Sequence, residues 1–294
     1  MEIKNLTVLG AGVLGAQIAF MAAYSGINVT SYDINDDAVA AGKKRFDAIG
    51  GQMIKELSSA TEVTVAAARS HLSQTSDLAE AVGAADVIIE AVPERLDLKR
   101  DVWAKVGELA PKHTIFATNT STLLPSDIAD ASGAPERFLA MHFANHIWVN
   151  NTAEIMPHAG TDPKYVEALV QFAEQFNMVP VPLKREKAGY VLNTLLVPFL
   201  NAGMELAQLD IADIADIDRD WRNSTGSPMG PFQIIDEVGL RTVAAILQSE
   251  QDAPEWKKQF LAETIVPMIE AGKTGREAGE GFYTYDADGN PGAV

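Results

Sequence analysis

The 294-residue sequence contains no cysteine and only five histidines. The absence of cysteine excludes disulfide bonds, a thiol nucleophile, cysteine-ligated iron–sulfur clusters and cysteine-containing zinc sites. The chain needs no oxidising compartment, and we expect it in the cytoplasm. The small number of histidines leaves few candidates for imidazole chemistry near neutral pH.

Positive charge is scarce as well. The 23 Lys and Arg residues face 40 Asp and Glu residues, so the net charge is −17. This charge repels nucleic-acid phosphates and anionic lipid head groups, and neither is an expected partner. A hydrophobic fraction of 47% with 21% charged residues is typical of a folded protein with a sizeable core.

Long apolar runs are limited to one stretch, Leu6–Ala23, which has the length of a signal peptide or a membrane span. Three glycines and Gln17 interrupt this stretch, and the residues before it include the acidic Glu2. We therefore expect a buried strand followed by a helix, and no membrane span.

Short β-rich runs alternate with helical patterns from residue 1 to about 185. The runs are LTVLG, INVTSYD, DVIIEAV, TIFATN, RFLAMHF and VPVPL. This alternation predicts a doubly wound α/β domain of the Rossmann type, with helices on both faces of a parallel sheet. Between Lys43 and Leu72 we expect a helical hairpin insertion with a break at Gly50-Gly51.

The β-rich runs stop after Lys187, and the following segments have the pattern of helices packed on helices. This change predicts a smaller all-α domain. We place the Rossmann-type domain at 1–185 and the helical domain at 186–294, with dimerisation and the substrate cleft assigned to the latter.

A glycine-rich motif follows the first predicted strand. Gly10 permits a tight turn, Gly12 lets the backbone approach a pyrophosphate, and Gly15 allows close packing of helix and strand. Val13 and Leu14 complete the loop at the helix N-terminus, whose N–H groups favour phosphate. The motif alone also fits an ordinary glycine-rich turn, so its context decides.

That context is Asp33, which ends the next predicted strand 18 residues after Gly15. A carboxylate there binds the adenosine ribose hydroxyls and repels the 2′-phosphate of NADP. The following Ile34 and Asn35 offer no cation to such a phosphate. The sequence therefore predicts NAD as the cofactor.

A second group of candidate residues includes His142, which lies at the end of the run RFLAMHF. A single histidine near a strand end is more often structural than catalytic, but strand carboxyl ends form the ligand crevice of doubly wound folds. Ser121 follows another predicted strand at the same edge. A reaction at a carbonyl needs a general acid, and Glu154 is the candidate to orient the imidazole. The sequence leaves open which ring nitrogen transfers the proton.

Along nearly its whole length the chain resembles the L-3-hydroxyacyl-CoA dehydrogenases, and within them the diketoreductase branch. The matching segments are VLGAGVLGAQIA, EAVPERLDLKRDVW, TIFATNTSTL, HFANHIWVNNTAEIM, KAGYVLNTLLVP, SPMGPFQIID and GREAGEGFYTY. The resemblance implies a catalytic dyad of His142 and Glu154, and hydrogen bonds from Ser121 and Asn193 to the substrate oxygen. It also implies a homodimer formed through the helical domain.

Three further residues belong to the predicted cofactor site. Glu94 follows a predicted strand at the crevice edge, but a carboxylate near a helix N-terminus fits it equally well. Lys99 borders the cofactor by resemblance, with a solvated helix face as the alternative. Asn119 lies in the same strand-end segment as Ser121.

The departures from the family pattern concern the substrate. The family usually carries Asn-Pro after the His-Phe pair, whereas here His146 follows Asn145. His146 fits a second titrating group, a pocket lining or a structural role, and Trp148 fits either the core or the acyl pocket. The family's hairpin is typically rich in lysines that meet the CoA phosphates, but residues 51–72 contain only Lys55 and Arg69 as fixed cations. The run Lys43-Lys44-Arg45 just upstream offers further positive charge, although we expect it to form a solvated helix face.

The acidic cluster at 213–220 superficially suggests a metal site. It lacks the glycine and the terminal glutamate of a calcium loop, so we expect a solvated, N-capping helix start and no metal.

Two classes of function compete. The first is an NADH-dependent oxidoreductase that interconverts β-keto or β,δ-diketo compounds and their hydroxy products, with 3-hydroxybutyryl-CoA dehydrogenase activity as its alternative. The second is an NAD-binding structural protein of the crystallin type. The intact dyad favours the enzyme.

Overall fold

The computed structural model describes residues 3–250, 252–286 and 291–292. The chain separates into two compact units, 1–191 and 192–294. The division expected from the sequence lies between residues 185 and 186. Within the described residues, no helix combines the length and apolar character needed to cross a membrane.

The first unit is built on a sheet of eight strands. The strands are β1 (Asn5–Leu9), β2 (Asn28–Tyr32), β3 (Leu72–Thr75), β4 (Val87–Glu90), β5 (Ile115–Thr118), β6 (Phe138–Phe143), β7 (Thr152–Pro157) and β8 (Val179–Pro182). They lie in the order β3-β2-β1-β4-β5-β6-β7-β8. Every neighbouring pair is parallel except β6 and β7, which are antiparallel.

Helices cover both faces of this sheet. They are α1 (Val13–Tyr24), α2 (Asp36–Glu56), α3 (Glu62–Ser70), α4 (Leu78–Val82), α5 (Leu96–Leu109), α6 (Pro125–Ile128) and α7 (Pro163–Gln175), with 3₁₀ turns at Ala129–Ser132 and Pro135–Arg137. In β4, Val87 and Ile89 belong to the apolar cluster that includes residues of α1, α3 and α7, whereas Ile88 belongs to the cluster that includes residues of α4 and α5. A fully buried strand of this kind needs apolar residues on both faces. The predicted fold class is confirmed.

The sequence pattern did not predict β3 or β7. β3 has the polar sequence LSQT and pairs only with β2 at one edge of the sheet. The other edge is β8, whose Pro180 and Pro182 cannot donate ladder hydrogen bonds and are tolerated at an edge.

The helical hairpin is present, but the expected break at Gly50-Gly51 is wrong. α2 continues through both glycines to Glu56, and the turn lies at residues 57–61. A Cβ atom on Gly50 would lie 2.7 Å from Val65 Cγ1. Gly50 therefore permits close packing of α2 on α3. The helix continues through it despite the low helix propensity of glycine.

The second unit is helical. Its helices are α8 (Leu192–Gln208), α9 (Ile214–Thr225), α10 (Pro231–Val238), α11 (Leu240–Ser249), α12 (Glu255–Phe260) and α13 (Val266–Glu270), with a π turn at Leu261–Ile265 and a 3₁₀ turn at Arg276–Ala278. Its core joins residues from α8 to α12 with Phe282 and Tyr283 of the C-terminal segment.

Two carboxylates, Asp218 and Asp236, are buried in this unit. The expectation of a solvated acidic helix start is wrong for Asp218, whereas Asp213 and Asp220 are exposed and Asp213 is the N-cap residue of α9. Asp218 is 1% exposed and accepts hydrogen bonds from the backbone N–H groups of Phe232 and Gln233. Asp236 is also 1% exposed and accepts from the backbone of Phe282 and its neighbour. Each carboxylate thus connects its own helix to another segment, whose backbone N–H groups donate to it.

We predict that the stability contribution of Asp236 depends on pH. Burial, aided by the charge of Asp218, raises the pKa of Asp236 above its ordinary value. The folded state therefore holds this proton to higher pH than the unfolded state, and the contribution to stability falls as pH rises above about 4. Asp236→Asn should reduce the free energy of unfolding by about 1–3 kcal/mol, because an amide NH₂ replaces one of the two oxygens that accept from backbone N–H groups. The difference from the wild type should be largest at acid pH and should narrow toward neutrality.

Urea unfolding across this pH range measures the difference. The matched control is Asp213→Asn, which makes the same chemical change at an exposed carboxylate. A difference for Asp236→Asn that widens with rising pH would contradict the prediction.

Candidate active site

The antiparallel pair of β6 and β7 places His142 directly opposite Glu154. His142 Nδ1 lies 2.9 Å from Glu154 Oε2, and both residues are 3% exposed. A carboxylate only accepts hydrogen bonds, so Nδ1 carries a proton and donates it to Glu154. The second ring nitrogen, Nε2, points away from Glu154.

Nε2 lies 3.1 Å from the hydroxyl oxygen of Ser121. Ser121 belongs to the loop that follows β5, at the edge of the sheet where β6 also ends. The structure therefore brings three of the predicted catalytic residues into one hydrogen-bonded chain: Glu154, His142 and Ser121.

Glu154 is fixed at both oxygens. Oε2 accepts from His142, and Oε1 accepts from the backbone N–H of Val191 at 2.9 Å. A buried carboxylate with a partner at each oxygen has a defined orientation, and the imidazole bound to it shares that orientation.

The loop that carries Ser121 is held by Glu94. One oxygen of this carboxylate, Oε1, accepts from the backbone N–H groups of Ser121 and Thr122 and from the hydroxyls of Thr120 and Thr122. Burial alone would raise the pKa of Glu94, but these hydrogen bonds and the charge of Lys99 outweigh burial and lower the pKa to about 2. Glu94 is therefore an ionised anchor of the loop and lies just before the N-cap residue of α5, while its contact with the cofactor stays a prediction.

Tyr190 contributes to the site although the sequence patterns did not single it out. Its ring stacks on the imidazole of His142 with the ring centroids 4.4 Å apart, and its hydroxyl donates to the Thr120 carbonyl at 2.7 Å. Burial, with the nearby charge of Glu94, raises the pKa of Tyr190, so the phenol stays neutral. The segment KAGYVLN carries no motif that indicates this role; in the structure, Gly189 and Tyr190 both have positive φ.

The glycine loop after β1 has the geometry that a pyrophosphate requires. Gly10 has φ +99°, and a Cβ atom there would lie 2.8 Å from the Ala91 carbonyl oxygen. A Cβ atom on Gly15 would lie 1.9 Å from the Gly10 carbonyl oxygen, so helix and loop are in close contact. A Cβ atom on Gly12 would meet no described atom within 4 Å, which leaves open space at the N-terminus of α1.

The flanking residues complete this loop. Val13 is 64% exposed and Leu14 is partly buried. Asp33 Oδ2 accepts from the backbone N–H of Ala11 at 2.8 Å, so the carboxylate is oriented beside the glycine loop. A carboxylate has further acceptor positions that suit ribose hydroxyls. Arg45 of α2 donates to the carbonyl of Ala11 in the glycine loop at 3.0 Å.

Lys99 does not lie on a solvated helix face. It is 1% exposed, and its ammonium group lies 2.6 Å from Glu90 and 3.3 Å from Glu94. Asn119 is also largely buried, and its Oδ1 accepts from the backbone N–H of Phe143 at 3.0 Å. Asn119 therefore joins the ends of β5 and β6, while cofactor contact of either side chain stays a prediction.

Asn193 lies at the start of α8 in the second unit. Its hydrogen bond to a substrate oxygen stays a prediction.

The segment after β6, in which the sequence departs from the family pattern, is attached to the helical hairpin. His146 has φ +65° and its ring contacts the Glu56 carboxylate, to which Trp148 Nε1 also donates at 2.7 Å. Gln17 accepts from the backbone N–H of His146 at 2.7 Å. Burial would raise the pKa of Glu56, but the hydrogen bonds from His146 and Trp148 outweigh it and lower the pKa.

Comparison with known proteins places this site in a family. The model of the 3-hydroxyacyl-CoA dehydrogenase NAD-binding domain matches residues 5–186. The model of the 3-hydroxyacyl-CoA dehydrogenase C-terminal domain matches residues 189–285. The chain belongs to the 3-hydroxyacyl-CoA dehydrogenase family. This confirms the resemblance found in the sequence, and the dehydrogenase uses NAD as its cofactor.

Individual relatives match over nearly the whole dehydrogenase. The rat mitochondrial hydroxyacyl-coenzyme A dehydrogenase is 34% identical over 288 residues, which cover 96% of this chain and 91% of that protein. A probable 3-hydroxybutyryl-CoA dehydrogenase of Bacillus subtilis is 31% identical, with 97% and 99% covered. A solved diketoreductase, described as performing substrate-directed dual catalysis of dicarbonyl compounds, is 52% identical with a TM-score of 0.92, and 97% and 100% are covered. The dehydrogenase is thus an NAD-dependent oxidoreductase that acts on a CH–OH group.

We predict that Asp33 sets the preference for NADH over NADPH. Its carboxylate repels a 2′-phosphate, and a charge pair of this kind near a protein surface is worth about 1–4 kcal/mol. Asp33→Ser should therefore narrow the ratio of kcat/KM for the two cofactors by roughly tenfold or more. Steady-state rates with each cofactor give the ratio.

Asp37→Ser is the matched control, since it removes the same charge at an exposed position in the first turn of α2. Equal use of NADH and NADPH by the unmodified enzyme would overturn the role of Asp33.

Proposed function

We propose that this enzyme reduces β-keto or β,δ-diketo compounds to their hydroxy products with NADH, using His142 and Glu154 as a catalytic dyad. The observation that carries the proposal is the hydrogen-bonded chain from Glu154 through His142 to Ser121. It directs one ring nitrogen to a carboxylate and the other to the hydroxyl predicted to bind the substrate oxygen.

The dyad supplies the proton of the reduction. NADH, held by the glycine loop and Asp33, would supply the hydride that the carbonyl carbon receives. His142 donates the Nε2 proton to the oxygen as negative charge develops there, and it keeps the Nδ1 proton that binds Glu154. Glu154 holds the tautomer and the ring orientation, because its other oxygen is fixed by the Val191 backbone.

Ser121 and Asn193 are the proposed donors to the substrate oxygen. Both are neutral, and their hydrogen bonds strengthen as the oxygen gains negative charge. Interactions that are stronger in the transition state than in the ground state lower the barrier. The 3.1 Å separation of Ser121 Oγ from His142 Nε2 supports this role for Ser121.

An uncharged substrate is favoured by the electrostatics of the helical hairpin. Of its two cations between residues 51 and 72, Arg69 forms an ion pair with Asp47. The hairpin also carries Glu56, whose lowered pKa keeps it ionised at neutral pH. Strong recognition of CoA phosphates needs charge-assisted hydrogen bonds, for which residues 51–72 offer only Lys55 and the paired Arg69, with Lys43 and Lys44 exposed earlier in α2. The similarity to a solved diketoreductase also favours this substrate class.

The second candidate is 3-hydroxybutyryl-CoA dehydrogenase activity. It is favoured by the names of the relatives from rat and Bacillus subtilis, which match over nearly their whole lengths. The same dyad serves both substrates, since each presents a 3-keto group for reduction.

We also propose that the enzyme forms a homodimer through the second unit. Helix α8 and the turn after it expose large apolar side chains: Leu195, Leu206, Leu209 and Ile211. Several large apolar side chains exposed on one element support an interaction surface there.

We predict that His142→Gln lowers kcat by roughly 10²–10⁴, the usual contribution of a positioned general acid. Glutamine retains a polar side chain but cannot deliver the proton. Glu154→Gln should also lower kcat while NADH affinity changes little, because the dyad acts on the substrate. Initial rates and NADH fluorescence titration measure the two quantities.

His113→Gln is the matched control, at a histidine that is 56% exposed and precedes β5. Near-normal kcat for His142→Gln, under conditions where chemistry limits the rate, would overturn the dyad.

We predict a lower kcat/KM for acetoacetyl-CoA than for uncharged β-keto or β,δ-diketo esters. The matched comparison is acetoacetyl N-acetylcysteamine, which keeps the reacting thioester and lacks the phosphates. Measured at low ionic strength, the uncharged thioester should be the better substrate, and added salt should narrow the difference by screening. A higher kcat/KM for acetoacetyl-CoA at low salt would instead establish the second candidate.

A further inference from the structure

A buried tyrosine lies against the proposed catalytic dyad, and the proposed reaction does not use it. Tyr190 is 1% exposed and belongs to an apolar cluster with Ala140 and Met156. Its backbone has φ +51°, in the left-handed region that an aromatic residue rarely occupies. Such a conformation persists only where the surrounding contacts fix it, and it is found preferentially at functional sites. The contacts of Tyr190 therefore show what this conformation serves.

The ring of Tyr190 covers one face of the His142 imidazole. The ring centroids are 4.4 Å apart, and the ring planes are inclined by 17°. The imidazole is otherwise held at its nitrogens, by Glu154 and Ser121. Hydrogen bonds of this kind act along directions in the ring plane, so they oppose a tilt about the line between the nitrogens only weakly, and the χ2 torsion of histidine is broad. The stacked tyrosine ring restricts this tilt.

The hydroxyl of the same side chain reaches the loop that carries Ser121. It donates to the carbonyl oxygen of Thr120 at 2.7 Å, and Thr120 immediately precedes Ser121. Ser121 Oγ in turn lies 3.1 Å from His142 Nε2. Because the hydroxyl is rigidly attached to the ring, one tyrosine sets the separation between the imidazole and this loop.

The residue after Tyr190 fixes the third member of the hydrogen-bonded chain. The backbone N–H of Val191 donates to Glu154 Oε1 at 2.9 Å, and the other carboxylate oxygen accepts from His142. The unusual φ of Tyr190 thus occurs where two consecutive residues meet the dyad.

The phenol itself is not suited to proton transfer. Its proton is directed to a main-chain carbonyl, and burial, with the charge of Glu94, raises the pKa of Tyr190. A phenol has one O–H donor, and here that donor is occupied. Any effect of Tyr190 on the reaction therefore passes through the groups that it contacts.

We propose that Tyr190 is a positioning residue for the dyad: its ring sets the tilt of the His142 imidazole, and its hydroxyl sets the place of Ser121. This inference rests on the proposed function of His142 and Ser121 in ketone reduction. It assigns both contacts of Tyr190 to kcat, because both are made to groups that act on the reacting oxygen.

Two substitutions separate the two contacts. Tyr190→Phe removes the hydroxyl and keeps the stacked ring, so kcat should fall by roughly twofold to tenfold, the effect of one neutral hydrogen bond. Tyr190→Leu removes both contacts, and kcat should fall by roughly tenfold to a hundredfold, as expected for a small displacement of a reacting group. KM and the dissociation constant for NADH should change little in both variants.

Double-mutant cycles show whether each loss passes through the dyad. In the Ser121→Ala background, Tyr190→Phe should lower kcat no further, because the hydroxyl that it positions is already absent. In the His142→Gln background, Tyr190→Leu should likewise add nothing. A tyrosine that only stabilised the fold would give multiplicative losses in both backgrounds.

Tyr24→Phe is the matched control, because the Tyr24 hydroxyl also donates to a main-chain carbonyl, that of Ser59 at 3.1 Å. It should leave kcat unchanged. Tyr190→Met is the second variant for folding, since methionine fills an irregular core site without offering an aromatic face. It should reproduce the kcat of Tyr190→Leu. If neither of these two variants folds, Tyr190→Phe and its Ser121→Ala background decide the inference.

Three outcomes would overturn the inference. They are unchanged kcat in the Tyr190 variants that fold, multiplicative losses in the two backgrounds, and a raised KM with unchanged kcat. The first two indicate a merely structural residue, and the third a substrate contact. Wild-type turnover and its loss in His142→Gln are measured first, because their failure overturns the proposed function itself, whereas the other outcomes concern Tyr190 alone.

Discussion

The hydrogen bond between His142 and Glu154 depends on the direction of a single strand. In a parallel sheet every strand reaches the ligand edge with its carboxyl end, so residues near strand starts lie far from it. β7 runs antiparallel to β6 and therefore begins at the edge where β6 ends. This reversal places a carboxylate twelve residues along the chain directly opposite the imidazole. Without it, Glu154 would lie at the far edge of the sheet.

The same physical device recurs throughout the molecule: a carboxylate that accepts from main-chain N–H groups and fixes a loop. Glu154 holds the Val191 backbone, Glu94 the loop after β5, and Asp33 the glycine loop. In the second unit, Asp218 and Asp236 each accept from the backbone of a segment that lies later in the sequence, at Phe232 and Phe282. Charge-assisted hydrogen bonds are shorter and stronger than neutral ones. Part of the acidic composition thus serves loop geometry inside the protein rather than solubility at its surface.

Much of the fold followed from periodicity, because buried parallel strands and amphipathic helices leave strong local patterns. The two strands that were missed have weak patterns for physical reasons: β3 is a short polar edge, and β7 follows an irregular segment. The site residues with motif signals, such as Gly10 and His142, could be singled out from the sequence. Tyr190 could not, because its role comes from stacking and a long-range hydrogen bond. The burial of Lys99 could not be predicted either, because its position in a predicted helix does not show which other segments pack against it.

The eight residues that connect β6 to β7 have a consequence for how this enzyme can diverge. Side chains on a strand alternate between faces, so a one-residue slip of β7 against β6 would turn Glu154 to the opposite face of the sheet. Three positions of this connection, Asn145, Val149 and Asn150, are exposed, whereas Ile147 and Trp148 are buried and His146 has φ +65°. Insertion or deletion of one residue that shifts the register of the strands separates the carboxylate from the imidazole. The exposed positions are therefore free to vary in composition, while the length of the connection is constrained by the chemistry at its two ends.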